Sequence, residues 1–71
     1  MKDPTIRIQV NGEGRAVPGG LSLLELLGSF GLDPRTVVVE LNREIVRRPA
    51  LAATPIRDGD SVELVHFVGG G

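Results

Sequence analysis

The sequence predicts an α+β domain of two layers, a β-sheet with one amphipathic helix laid across one face. Three observations carry that prediction. The N-terminal stretch alternates apolar and polar residues, Ser22 to Phe30 repeats leucines at helical spacing behind a capping signal, and the C-terminal half returns to β-branched runs divided by turn residues. The resulting order is strand, strand, helix, strand, short strand, strand. A single helix among several strands must bury its apolar stripe against one sheet face, which places the last strand within the sheet and ends it at the sheet's rim.

Thr5 to Val10 puts Ile6, Ile8 and Val10 on one face and Thr5, Arg7 and Gln9 on the other, as a half-buried strand does. Asn11-Gly12-Glu13-Gly14 tolerates positive φ and predicts a hairpin turn. A short return strand through Arg15, Ala16 and Val17 ends at Pro18-Gly19-Gly20. Ser22 and Glu25 have the spacing of a capping box, with Leu21 and Leu26 placed for a hydrophobic staple. Leu23, Leu26, Leu27 and Phe30 then line one helix face. Gly31 is placed to end the helix in a left-handed conformation, and Asp33-Pro34 keeps it from resuming. Ser22 therefore reads as a cap, not as a nucleophile.

Val37 to Leu41 is a β-branched strand, and Asn42-Arg43 turns it into a short edge strand, Glu44-Ile45-Val46. Residues 47–55 hold Pro49 and Pro55 and predict an irregular connection with room for one helical turn. Asp58-Gly59-Asp60 is a tight turn that launches the final strand, Ser61 to Phe67.

A chain of 71 residues supports one domain with one small core: a folded body over 5–67 and a tail over 68–71. Cysteine is absent, His66 is the one histidine and Lys2 the one lysine, so the usual nucleophile and base pairs cannot be assembled. No catalytic residue, bound cofactor or metal site is expected. A net charge of −1 argues against a nucleic-acid or anionic-membrane binder. No apolar run approaches the ~20 residues that span a bilayer, and Met1-Lys2-Asp3-Pro4 lacks the apolar stretch of a secretory signal. A cytoplasmic protein is the expectation.

The chemistry is expected at the C-terminal end. Gly69, Gly70 and Gly71 have no side chains to pack and lose the most entropy on ordering, which predicts a flexible tail able to thread a partner's narrow active site. A terminal carboxylate has a pKa of ~3.3–3.7 and is ionised at neutral pH. It resists nucleophilic attack, yet can itself attack the α-phosphorus of ATP to give an acyl-adenylate. A sulfur donor could then displace AMP and leave a thiocarboxylate. Nothing in the chain is suited to binding ATP or activating sulfur, so partners must do both. Alternation along the last strand turns Val62 and Leu64 to the helix and Val65 and Phe67 to the open face, with Val38 on the same side. Together with Val68 these form the expected partner interface. The same alternation turns His66 toward the core, partly buried. Arg43, Arg47 and Arg48 gather near the short strand, where positive charge discourages sheet-to-sheet aggregation.

Val39-Glu40-Leu41-Asn42, Glu44-Ile45-Val46, Asp58-Gly59-Asp60 and the ending Val62-Glu63-Leu64-Val65-His66-Phe67-Val68-Gly69-Gly70-Gly71 resemble the thiamine-biosynthesis sulfur carriers, a ubiquitin-like β-grasp family. The resemblance spans nearly the whole chain after Pro4, and its specific part is the Val-His-Phe-Val-Gly-Gly-Gly ending. It implies a mixed four- to five-stranded sheet with one main helix on one face. It also implies an E1-like adenylating enzyme that activates Gly71 with ATP, sulfur from a cysteine desulfurase or another persulfide donor, and delivery from the thiocarboxylate to thiazole synthase. Arg43 and Arg47 depart from the family's commonest pattern, where a flexible turn residue and a proline are frequent. A sulfur carrier for molybdopterin synthase shares the fold and the reactive end. So does a ubiquitin-like modifier that joins Gly71 to lysines. A plain β-grasp interaction module shares only the fold.

Overall fold

Five strands, Thr5–Val10 (β1), Glu13–Pro18 (β2), Val37–Leu41 (β3), Glu44–Val46 (β4) and Ser61–His66 (β5), form one sheet in the order β2-β1-β5-β3-β4. The computed structural model describes residues 4–67; the predicted tail segment 68–71, with Val68, Gly69, Gly70 and Gly71, lies outside the described residues. β1–β2 and β3–β4 are antiparallel hairpins, and β5 lies between them, parallel to β1 and antiparallel to β3. The mixed β-grasp sheet implied by the resemblance is therefore present, with five strands.

Each strand of the alternating type buries one set of residues. Ile8, Val10, Val17, Val37, Val39, Val62 and Leu64 meet Leu23, Leu26 and Leu27 of the helix Leu23–Ser29 (α1), and Leu51 and Ile56 close the core from the connection. The predicted helical turn in that connection is Arg48–Leu51 (α2).

The helix ends are built as their residues require. Glu25 N–H donates to Ser22 Oγ at 3.1 Å, and Ser22 N–H donates to Glu25 Oε1 at 2.9 Å, completing the capping box. Gly31 adopts φ +73°. The Gly31 N–H then donates to Gly28 O and the Leu32 N–H to Leu27 O, both at 3.0 Å, so the last carbonyls are satisfied.

Four details differ from the expectations. The first hairpin turn is Asn11-Gly12 alone, with Glu13 and Gly14 already paired to Val10 and Gln9. Positive φ at both positions, 53° and 84°, gives the two-residue turn whose twist matches the flanking strands, so no further loop is needed. Pro34 does not stop all helical structure. Proline carries the φ of a first helical position, and Pro34–Thr36 forms a 3₁₀ turn capped by Asp33. The Arg35 side chain and backbone N–H, both bonded to that carboxylate, hold its pKa down at about 2. His66 is exposed, not partly buried: Val37, its partner across the ladder, is buried, so the cover over this end of the core face reaches the β3 residue but not the β5 one. Finally, β5 stops at His66. Phe67 lies one residue beyond, although its N–H still donates to Thr36 O at 2.9 Å.

The second hairpin turn, Asn42-Arg43, repeats the geometry of the first with φ 51° and 73°. Arginine is costly there, since a Cβ in the left-handed region costs ~1–2 kcal/mol and glycine gives back ~0.5–1 through its unfolded-state freedom. Arg43→Gly is expected to stabilise the fold by about 0.5–1 kcal/mol, a rise of a few degrees in the thermal midpoint. An unchanged or lower midpoint would contradict a strained Arg43.

Candidate functional site

The strand leading to the chain's last residues is fastened from both sides. Gln9 N–H donates to Asp60 O and Asn11 N–H to Val62 O, each at 2.9 Å, and Asn42 N–H donates to Ser61 O at 2.8 Å. Two asparagine side chains add to this. Asn42 Oδ1 accepts from Ser61 N–H at 2.9 Å while its Nδ2 donates to Asp60 Oδ1 at 3.0 Å. Asn11 Oδ1 accepts from Leu64 N–H at 2.8 Å while its Nδ2 donates to Leu64 O at 3.3 Å. An amide offers a donor and an acceptor together, so each asparagine turns its hairpin and pins β5 in the same conformation. Sequence reasoning identified both as turn residues only. The signal for more was the choice of asparagine, not glycine, at the first position of both turns.

Asp58 and Asp60 are turn builders, as their spacing around a glycine predicts. Asp58 Oδ1 accepts from Arg7 N–H at 2.9 Å, and Asp60 Oδ2 accepts from Arg57 N–H at 2.8 Å. Both carboxylates are committed to backbone donors, and no acid–base pair is formed.

The open face of the sheet carries the predicted apolar residues. Val65 and Phe67 are 54% and 56% exposed, and Val38 is half-buried directly across from Val65. Ile45 joins them at 63% exposure, paired with Glu40 in the β3–β4 hairpin. The sequence alone does not mark Ile45 as an interface residue, because a three-residue strand gives too short a pattern to assign a face. Val38, Ile45 and Phe67 border a shallow groove of about 290 Å³ whose other walls include Val46, Arg47, Arg48 and Pro49. Arg47 and Arg48 thus sit on the groove, whereas Arg43 does not line it. Glu40 and Glu63 stand opposite one another on the same face, a like-charged pair that is unfavourable unless solvated or met by positive charge. Among the described residues, no group of three or more His, Cys, Asp or Glu could hold a metal ion, and no helix is long and apolar enough to cross a membrane. What the arrangement can do is present a rigid apolar surface next to Phe67, the last residue before Val68, Gly69, Gly70 and Gly71.

Known proteins are similar to this chain in sequence and in fold. The ThiS family profile matches residues 8–71. A thiazole synthase from Paramagnetospirillum magneticum is 41% identical over 66 residues, which are 93% of this chain but 20% of that protein, so the chain spans about a fifth of that relative's length. The sulfur carrier protein ThiS of Bacillus subtilis is 40% identical over 50 residues, 70% of this chain and 76% of that one. The crystal structure of a thiamine biosynthesis protein (ThiS) from Geobacter metallireducens superposes with a TM-score of 0.80 at 40% identity, covering 93% of this chain and all of the other.

Proposed function

Because the chain belongs to the ThiS family, we propose that it is a sulfur carrier of thiamine biosynthesis, a protein co-substrate that partner enzymes act upon. In this reading the Gly71 carboxylate attacks the α-phosphorus of ATP in the active site of an adenylating, E1-like enzyme and displaces pyrophosphate. A persulfide sulfur, supplied through a cysteine desulfurase or another donor, attacks the acyl-adenylate carbonyl and releases AMP. A second thiol then cleaves the sulfur–sulfur bond, freeing the Gly71 thiocarboxylate. Thiazole synthase takes the sulfur from it, an assignment favoured by the thiazole synthase relative, part of whose length is similar to this chain. Gly69 and Gly70 allow the end to enter a channel too narrow for a Cβ.

The observation that supports this reading best is the position of β5. It is held in the sheet by backbone and asparagine bonds along its length, and its last described neighbour, Phe67, stands exposed beside Val38 and Val65. A platform of that kind fixes the origin of the reactive end while leaving an apolar face for the enzyme that activates it. Incubation with an adenylating enzyme, ATP and a persulfide donor should yield an intact mass in which sulfur replaces one oxygen, with the change mapping to Gly71. A chain that neither forms an adenylate nor gains sulfur would overturn the proposal.

Val38, Val65, Phe67 and Val68 are the contact residues in this reading. Phe67→Asp should weaken binding to the adenylating enzyme by tenfold or more, since a central aromatic commonly contributes at least ~1–2 kcal/mol to an interface. The thermal midpoint should barely move, because the side chain is already half in water. Titration calorimetry of the two proteins together, beside thermal unfolding of the variant alone, checks both halves of this expectation.

A further inference from the structure

We propose that Asn11 is a site of spontaneous covalent modification, at which deamidation through the Asn11-Gly12 peptide loosens β5 from β1. Asn11 and Gly12 are both exposed at the hairpin tip, Gly12 has φ 84°, and a Cβ built on it would meet nothing within 4 Å. The Gly12 backbone nitrogen, once deprotonated by hydroxide, attacks Asn11 Cγ. A C–N bond forms, the Cγ–Nδ2 bond breaks, and nitrogen leaves as ammonia after taking a proton from water. Water then opens the five-membered succinimide at either carbonyl, giving aspartate or isoaspartate. No oxidant or cofactor enters the balance.

The fold gates this reaction. With Oδ1 and Nδ2 both bonded to the Leu64 backbone, Cγ cannot turn toward the Gly12 nitrogen, and reaction must proceed from molecules in which the hairpin has opened. The product cannot restore the clamp. A carboxylate has no N–H for Leu64 O and faces that carbonyl with a second acceptor, while isoaspartate adds a backbone methylene between Val10 and Glu13, which are partners across the turn. Asn42 provides an internal comparison: its φ matches that of Asn11 and its amide is likewise bonded at both ends, to Ser61 N–H and to the Asp60 carboxylate, but it is followed by Arg43, whose side chain obstructs the same attack.

The test is incubation of the full chain at mildly alkaline pH, in native buffer and in urea, with peptide mapping by mass spectrometry and isoaspartyl methyltransferase labelling. Modification is expected at residue 11 and not at 42, at least about tenfold faster in urea, where the opening step is removed. Asn11→Asp should lower the folded-to-unfolded ratio about tenfold and speed amide exchange at Leu64. Asn11→Gly, which keeps the turn geometry and loses the clamp, should fall less. Should Asn11→Asp not fold, amide exchange at Leu64 in partly deamidated wild-type chain replaces it. Equal rates in buffer and urea, equal reaction at Asn42, or unchanged exchange at Leu64 after deamidation would each overturn the proposal.

Discussion

Removal of Gly71 is expected to abolish ATP–pyrophosphate exchange by the adenylating enzyme, a loss of at least about a hundredfold, while the thermal midpoint stays within about 1 °C. The shortened chain still ends in a carboxylate of ordinary reactivity, so the chemistry remains available in principle. What changes is reach: one residue withdraws the attacking oxygen by ~3.5 Å, and a misplacement of even 1 Å in a reacting complex can cost about a hundredfold. Stability should not follow, because glycine brings no side chain to a core made of Ile8, Val10, Val62, Leu64 and the helix leucines. Exchange at the wild-type rate by the truncated chain would eliminate Gly71 as the adenylated group. A large fall in midpoint would instead show that the residue serves the fold.

The second large effect is structural. Leu26 is completely buried in α1 against the sheet, and Leu26→Ala is expected to cost about 3–4 kcal/mol through lost burial and the cavity left behind. A domain of this size has a total stability of only ~4–10 kcal/mol, so the thermal midpoint should fall by about 12 °C or more. Leu24, 38% exposed on the same helix, is the control, and Leu24→Ala should cost under about 1 kcal/mol. Thermal melts of the pair measure the difference directly. Equal losses would mean that α1 does not present Leu23, Leu26 and Leu27 to the sheet.

Much of this architecture is legible in the sequence because half-buried elements carry their burial as a period. Ile6, Ile8 and Val10 announce β1, and Leu23, Leu26 and Leu27 announce α1; both elements stand where the pattern places them. Ser22, Glu25 and Gly31 could be assigned because each satisfies a backbone group that a helix end leaves free. Periodicity is silent on how well each position is covered, so His66, in phase with Val62 and Leu64, is expected to be partly buried and lies exposed. Residue types likewise show that Asn11 and Asn42 can turn the chain, but not that their amides reach across to β5. The two-layer layout places the last strand within the sheet, but its position between β1 and β3 is a long-range property that no local pattern carries. Of the interface, Val65 and Phe67 followed from alternation alone. Ile45 did not, because it depends on the register of a three-residue edge strand.

β5 runs parallel to β1 and antiparallel to β3, and that orientation has a mechanical meaning. A pull on the end beyond Phe67, resisted at the start of β1, drags β1 and β5 lengthwise past each other. The bonds between them are then loaded together, in shear, and cannot be peeled one at a time from an edge. Tension applied at the far end of this chain is therefore met by those bonds acting side by side rather than in succession.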